Sequence, residues 1–150
     1  MRNRLRMLLV ALPLLPAAFA LAQDSDDGTA PTDEVRGAAP LQSNGVKYLN
    51  GGASEEDRNR MLAQEVDYPV RIALSGEGGQ YLVAQSLTLS NAAGREVAAV
   101  PDAGPFVMFN LPPGRYVARV TLPDGESSQR PLSVGREPTT LNWNFPGAPR

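Results

Sequence analysis

The sequence has neither cysteine nor histidine among its 150 residues, and these two absences remove whole classes of function. The usual catalytic triads and dyads need histidine or cysteine, so that nucleophilic chemistry is excluded. Zinc sites are built mostly from the same two residues, so a zinc centre would depend on carboxylates alone. Since no disulfide can form, the fold must be stabilised by its hydrophobic core.

Long hydrophobic runs are also absent, and none is long enough to cross a membrane. The apolar run over residues 7–15 follows three arginines and precedes the small residues of Ala20-Leu21-Ala22. This order is typical of a cleavable secretory signal over residues 1–22, cut between Ala22 and Gln23. We therefore expect a periplasmic or extracellular protein with no stable membrane insertion after cleavage.

Basic charge is scarce once that signal is removed, because 11 basic and 16 acidic residues remain, a net charge of −5. Nucleic acids and anionic lipid surfaces both select clustered lysine and arginine. The composition therefore argues against both as partners. An exported chain meets proteins and glycans of the cell envelope, and we expect its partner among them.

Residues 23–45 are rich in aspartate, glycine and proline, a composition that predicts a disordered acidic linker. The aspartates do not fit an EF-hand loop, because Gly28 stands at a ligand position and Val35 stands at the twelfth. We assign no metal site, no cofactor and no catalytic residue to the chain.

Residues 46–67 form a lead-in segment with one short surface helix. Ser54 is a candidate N-cap, and the acidic residues after it suit the positive end of a helix. We expect the helix to run to about Val66 and to contact the domain along a narrow apolar stripe. That stripe comprises Met61, Leu62 and Val66. The first-turn acids are Glu55, Glu56 and Asp57, and a hydrolase that used only these carboxylates is the least favoured function, because capping explains them.

From residue 68 onward apolar and polar residues alternate, which is typical of half-buried β-strands. We predict seven short strands within residues 68–146, followed by a tail over residues 147–150. The predicted strands span residues 68–75, 81–90, 95–100, 106–111, 115–122, 126–134 and 139–145. The predicted inward side chains are those of Val70, Ile72, Leu74, Val83, Leu87, Leu89, Tyr116, Ala118, Val120, Leu122, Leu141, Trp143 and Phe145. In the fourth strand, alternation leaves open whether Phe106 and Met108 or Val107 and Phe109 face the core. The sixth strand is expected at a sheet edge because Pro131 lacks an N–H group.

The segment from Gly104 to Val120 carries a Leu-Pro-Pro-Gly motif between aromatic and apolar residues, namely Gly104, Phe106, Leu111, Pro112, Pro113, Gly114, Tyr116 and Val120. In these residues the segment resembles the carboxypeptidase regulatory-like domains of exported bacterial proteins. The resemblance covers about residues 46–146 and implies an all-β fold, a seven-stranded antiparallel Greek-key β-sandwich of the transthyretin (prealbumin) type. Pro112-Pro113-Gly114 is predicted as a type II turn in which Gly114 has a positive φ. Enzymes related to this scaffold use histidines that the sequence lacks, so the resemblance implies a non-catalytic module.

The sequence thus predicts a binding module that presents a sheet face or an open edge, such as the strand 126–134, to its partner. An accessory carbohydrate-binding module is the alternative. Trp143 does not favour it, since alternation with Leu141 and Phe145 places the indole in the core. The candidate contact residues, chosen for expected exposure, are Tyr48, Tyr68, Tyr81, Arg71, Arg115 and Arg119.

Overall fold

The computed structural model describes residues 40–148, which fold into nine β-strands, one α-helix and a short 3-10 turn. The predicted signal over residues 1–22 and most of the predicted linker lie outside the described residues. In chain order the elements are β1 (Leu41–Ser43), β2 (Val46–Gly51), α1 (Glu55–Leu62), β3 (Val70–Gly76), the 3-10 turn (Glu77–Gly79), β4 (Ala84–Asn91), β5 (Glu96–Ala103), β6 (Phe106–Phe109), β7 (Gly114–Thr121), β8 (Ser127–Val134) and β9 (Thr139–Phe145).

The strands form two sheets that enclose one main hydrophobic core. Sheet A has five strands in the order β1-β2-β6-β3-β9, and sheet B has four in the order β5-β4-β7-β8. The predicted β-sandwich architecture is confirmed, with nine strands in place of seven. The strand that contains Pro131 lies at an edge of sheet B, as the missing N–H group predicts.

The two additional strands form a hairpin in the segment that the sequence analysis assigned to the linker and the lead-in. β1 pairs with β2 across the turn Asn44-Gly45, whose φ angles are 48° and 86°. Positive φ at both positions is what a tight hairpin turn requires. The predicted disorder is therefore wrong from Leu41 to Gly45. A three-residue strand carries little hydrophobicity of its own, and its pairing with β2 supplies the order.

One strand pair contradicts the wholly antiparallel arrangement. β9 runs parallel to β3, with Val70 opposite Thr139 and Gly76 opposite Phe145. Between these two strands the chain has contributed to both sheets, so β9 can return in either direction. Local periodicity reports which side chains are buried and carries no information about this long-range choice.

The segment Leu111-Pro112-Pro113 crosses from one sheet to the other and is not a hairpin turn. β6 lies between β2 and β3 in sheet A, whereas β7 lies between β4 and β8 in sheet B. Gly114 begins β7 and is not among the glycines with a positive φ, so the predicted type II turn is wrong. The two prolines restrict the crossing to extended conformations, and Leu111 is buried within it.

Alternation correctly predicted the buried side chains of β3 and β7, from Val70 to Leu74 and from Tyr116 to Leu122. Val83 is an exception, because β4 begins only at Ala84 and the Val83 side chain is exposed. β5 is longer than predicted and continues to Ala103.

β6 is buried on both faces, which explains why alternation could not decide which of its side chains face the core. Val107 and Phe109 lie in the main core, while Met108 lies in a second apolar cluster on the outer face of sheet A. The other buried members of that cluster are Leu49, Met61 and Tyr68, with Phe106 packed against it.

Helix α1 contributes to the second cluster through Met61. Ser54 caps the helix as predicted, because its Oγ accepts the Asp57 N–H at 3.1 Å. The helix ends at Leu62, before the predicted end at Val66, whose side chain is 93% exposed. The predicted apolar stripe therefore reduces to Met61. Within residues 40–148, no helix has the length and apolar character needed to span a bilayer.

Candidate binding cleft

A cleft of about 520 Å³ opens at one end of the sandwich, where three connections meet. They are the β1–β2 turn, the β4–β5 turn and the crossing from β6 to β7. The residues that line this loop-end cleft are Asn44, Val46, Asn91, Arg95, Glu96, Val97, Leu111, Pro112 and Tyr116. Its volume lies within the ~300–1,000 Å³ that is usual for ligand pockets. Loops held by a rigid sandwich are a common location for binding residues.

The floor of the loop-end cleft is apolar and continuous with the core. Leu111 and Tyr116 are buried, and Val46 and Val97 are partly buried against the main core. The Tyr116 hydroxyl donates to the Pro112 carbonyl oxygen at 2.7 Å. Burial raises the pKa of Tyr116 above its ordinary value, so the phenol keeps this proton at neutral pH. The floor is therefore tied to the crossing segment by a hydrogen bond as well as by packing.

The β4–β5 turn positions the polar rim of the cleft. Asn91 Oδ1 accepts the N–H groups of Ala93 and Arg95, each at 3.0 Å. The Asn91 N–H donates to the Arg95 carbonyl at 2.9 Å, and the Gly94 N–H donates to the Asn91 carbonyl at 2.9 Å. Because the carboxamide oxygen of Asn91 is occupied twice, its Nδ2 is the part of the amide that remains to donate.

Two oppositely charged side chains, Arg95 and Glu96, stand exposed on the rim. Within residues 40–148, neither side chain takes part in an ion pair or a side-chain hydrogen bond. The rim thus combines the donors of Arg95 and Asn91 with the carboxylate of Glu96 beside an apolar floor. Such an arrangement can hold a small ligand through both packing and directed hydrogen bonds.

The six predicted contact residues are not brought together. Tyr48 and Tyr68 are each only 6% exposed, so their predicted accessibility is wrong. Tyr48 packs near Phe109 in the main core, with ring centroids 6.0 Å apart, and Tyr68 belongs to the second cluster. The guanidinium of Arg71 is partly buried on sheet A and donates to the Thr140 hydroxyl at 3.2 Å.

The two other predicted arginines, Arg115 and Arg119, are exposed on β7. Alternation with the buried Tyr116 and Ala118 directs them away from the core, to the outer face of sheet B. Neither lines the loop-end cleft. The exposed Val117 lies between them, and Arg119 lines a separate shallow concavity on that face together with Val117 and Gln129.

Tyr81 is the predicted tyrosine that remains exposed, at 53%. The Arg58 guanidinium lies 4.6 Å from its ring centroid, and the Phe106 ring centroid lies 5.8 Å away. Arg58 is held in turn by donating to the Gly52 carbonyl at 3.1 Å. We name Arg58, Tyr81 and Phe106 the aromatic patch. It lies at the opposite end of β6 from the loop-end cleft, since Phe106 begins that strand and the crossing segment follows its end.

Two of the three first-turn acids of α1 have local structural partners. Asp57 accepts the Gly52 N–H, and Glu56 pairs with Arg60 at 2.6 Å. Among the residues described, no group of three or more acidic side chains is arranged to hold a metal ion. The acids therefore read as helix-start residues that also fix the turn at Gly52.

Trp143 is only 1% exposed and stacks on Phe145 with ring centroids 5.4 Å apart. Its predicted position in the core is confirmed, and the indole is not available as a platform for a sugar ring. The Arg130 guanidinium lies 5.4 Å from the indole and covers this side of the core where β8 meets β9.

None of the nine lining residues of the cleft was among the contact residues predicted from the sequence. The one local signal was the dipeptide Asn44-Gly45, which is typical of tight hairpins and marks a loop at a strand end. Nothing in the sequence places that turn beside the β4–β5 turn, because the two meet only through the packing of the sheets.

No protein-family model matches the chain, and no curated protein matches it. Among solved structures, the chain is similar to the Bacillus anthracis TIE protein, with 14% sequence identity and a TM-score of 0.38. The match covers 51% of this chain and 15% of that chain. A likeness at this level supports no conclusion about function, so the function is inferred from the cleft.

Proposed function

We propose that this chain is a non-catalytic binding module of the bacterial cell envelope, and that its ligand occupies the loop-end cleft. One observation carries the proposal: the cleft is preformed, with a buried floor and a rim pinned by the hydrogen bonds of Asn91. A preformed site avoids the entropy cost of ordering loops when a ligand binds. Its mixture of apolar floor and few polar groups is characteristic of binding sites.

The proposal includes export through the signal over residues 1–22 and a partner among envelope proteins or glycans. It also includes divergent membership of the carboxypeptidase regulatory-like domains with Greek-key connectivity. The support for this membership is the match from Gly104 to Val120, which falls on β6, the crossing and β7.

A second candidate function, accessory carbohydrate binding, is favoured by the aromatic patch. Sugar-binding surfaces stack their ligands on exposed aromatic rings, and Tyr81 is exposed beside the partly buried Phe106. A glycan array with the mature protein and its Tyr81→Ala variant tests this candidate. Binding that is lost with Tyr81→Ala supports it, and an array without any bound glycan counts against it.

The main proposal is tested by recovering envelope components on the immobilised mature protein, beginning at Gln23. We expect a Val97→Lys variant to lose the recovered species, because the lysine would place a charge on the apolar floor of the cleft. Val117→Lys is the matched control, because Val117 is exposed on β7 and does not line the cleft. Circular dichroism and thermal melting establish that both variants fold, and Arg95→Glu replaces Val97→Lys if the latter does not. Recovery that is equal for all of them, or absent for all, would contradict the proposal.

A further inference from the structure

The rim of the loop-end cleft is weighted toward hydrogen-bond donors that have no partner within residues 40–148. We propose that the cleft binds a carboxylate carried by an aliphatic group, as at the C-terminus of a peptide, with Arg95 and Asn91 holding the carboxylate. This inference rests on the proposed function and names the class of ligand for the same site.

The turn fixes the backbone that carries Arg95 and the side-chain amide of Asn91. The N–H and the C=O of Arg95 both form hydrogen bonds with Asn91, so the arginine side chain extends from a backbone that is fixed on both sides. The amide of Asn91 is oriented by the two N–H groups that its oxygen accepts, which leaves the Nδ2 hydrogens for a ligand. A guanidinium and an amide N–H₂ that line one cleft supply donors for the two oxygens of a carboxylate.

The charge of the rim favours a carboxylate over a phosphate. Glu96 is unpaired within the described residues and lies on the same rim as Arg95, so the two charges nearly cancel. The mature chain is itself negative, at −5. A singly charged, planar carboxylate meets less repulsion here than a phosphate that carries close to two charges.

The apolar floor of the cleft suits the aliphatic part of the ligand. Val46, Val97 and Leu111 present aliphatic groups, and the ring of Tyr116 lies among them. The Tyr116 hydroxyl already donates to Pro112, so it offers a ligand only its lone pairs. An aliphatic C-terminal side chain would bury its surface on this floor while the terminal carboxylate meets the rim, which is a known mode of peptide capture.

The probes are acetyl-Gly-Gly-Val with a free carboxylate, the same peptide with a C-terminal amide, and inorganic phosphate. Each is titrated into the isotopically labelled mature protein and followed by the backbone amide signals in NMR spectra. We expect the acid to shift signals of the cleft residues and to bind about tenfold more tightly than the amide, since the amide loses the charge-assisted bonds. Arg95→Gln should weaken the acid about tenfold. Arg60→Gln, the same change on α1 outside the cleft, should not.

Equal affinities for acid and amide would overturn the inference, as would tighter binding of phosphate at the same residues. The absence of any shift with about 10 mM acid would overturn it as well, because even a fragment in a preformed site should bind at that concentration. Suppose that recovery of the envelope species is lost with Val97→Lys but persists with Arg95→Gln, and that the peptide acid does not displace the species. The proposed carboxylate ligand is then wrong, while the proposed binding module is supported. If recovery does not depend on Val97, the proposed function fails with it.

Discussion

Gly52 is the position where we expect one added methyl group to lower the free energy of unfolding most. The residue follows β2 with a φ of 85°, and a Cβ built there would lie 2.6 Å from Phe106 Cδ2 and 2.7 Å from Phe106 Cβ. Rotating the phenyl ring can move Cδ2 away, but Phe106 Cβ moves only with the backbone of β6. That backbone is paired to β2 and β3 on both sides.

Two separable costs follow for Gly52→Ala. An alanine at this φ costs about 1–2 kcal/mol of conformational energy. The overlap with Phe106 adds about 1–3 kcal/mol, as overpacking of a closed site usually does. Gly45→Ala is the matched control, because its φ is 86° and nothing lies within 4 Å of the added Cβ. It should show the conformational cost alone.

Urea unfolding of the two variants measures the difference directly. We expect Gly52→Ala to lose at least about 1 kcal/mol more than Gly45→Ala, or about 4–8 °C in melting temperature for a domain of this size. Adding Phe106→Gly to Gly52→Ala should relieve the overlap, because glycine removes Phe106 Cβ as well as the ring, so that the double variant is less destabilised than the sum of the singles. Equal losses for the two glycine variants, or simple additivity with Phe106→Gly, would refute the reasoning from close packing at Gly52.

Two further predictions concern the crossing between the sheets. Tyr116→Phe should destabilise the domain by about 0.5–1.5 kcal/mol, because the hydrogen bond to the exposed Pro112 carbonyl is lost. Burial raises the pKa of Tyr116 in the fold above 10.0, so the stability gained from the protonated phenol is present below about pH 10 and is lost as pH rises through the raised value. Melting temperatures between about pH 8 and about pH 11 should fall more for the wild type than for Tyr116→Phe, and parallel curves would exclude this role. Gly114→Ala should change stability by less than about 1 kcal/mol, because its φ is not positive and the new Cβ would lie 3.6 Å from the Tyr116 ring, an ordinary contact. A loss above about 3 kcal/mol in urea unfolding would restore the tight turn expected from the sequence.

The strands whose buried side chains could be predicted from the sequence are those with one buried face and one exposed face. In β7 and β9 most inward positions are apolar and most outward positions are polar, and Tyr116, Val120 and Trp143 are buried as their spacing predicts. β6 offered no such contrast, because the main core covers one face and the second cluster covers the other. A strand buried on both faces has no polar side from which its orientation could be inferred.

The features that the sequence did not reveal depend on contacts between distant segments. The Leu-Pro-Pro-Gly sequence is compatible with a hairpin or with a crossing, and only the pairing partners of β6 and β7 separate the two. The parallel pairing of β9 with β3 is equally non-local. The loop-end cleft shares this limit: Asn44 and Arg95 are both turn residues by local rules, and their common cleft arises from the way the sheets pack.

Side-chain contacts at the two sides of the sandwich argue against an open strand edge as the binding surface. At one side of the sandwich, the Ser43 hydroxyl accepts the Ala99 N–H at 2.9 Å and joins the edge strands β1 and β5. At the other side, Arg130 reaches from β8 to the Asn142 carbonyl of β9 at 3.5 Å and covers Trp143. A partner strand would have to displace these side chains before it could pair, and covered or charged edges generally resist such addition. The loop end needs no displacement, because the cleft is already open and the side chains of Arg95 and Glu96 on its rim have no partner in the described chain. This difference moves the proposed binding surface from the edges to the loops.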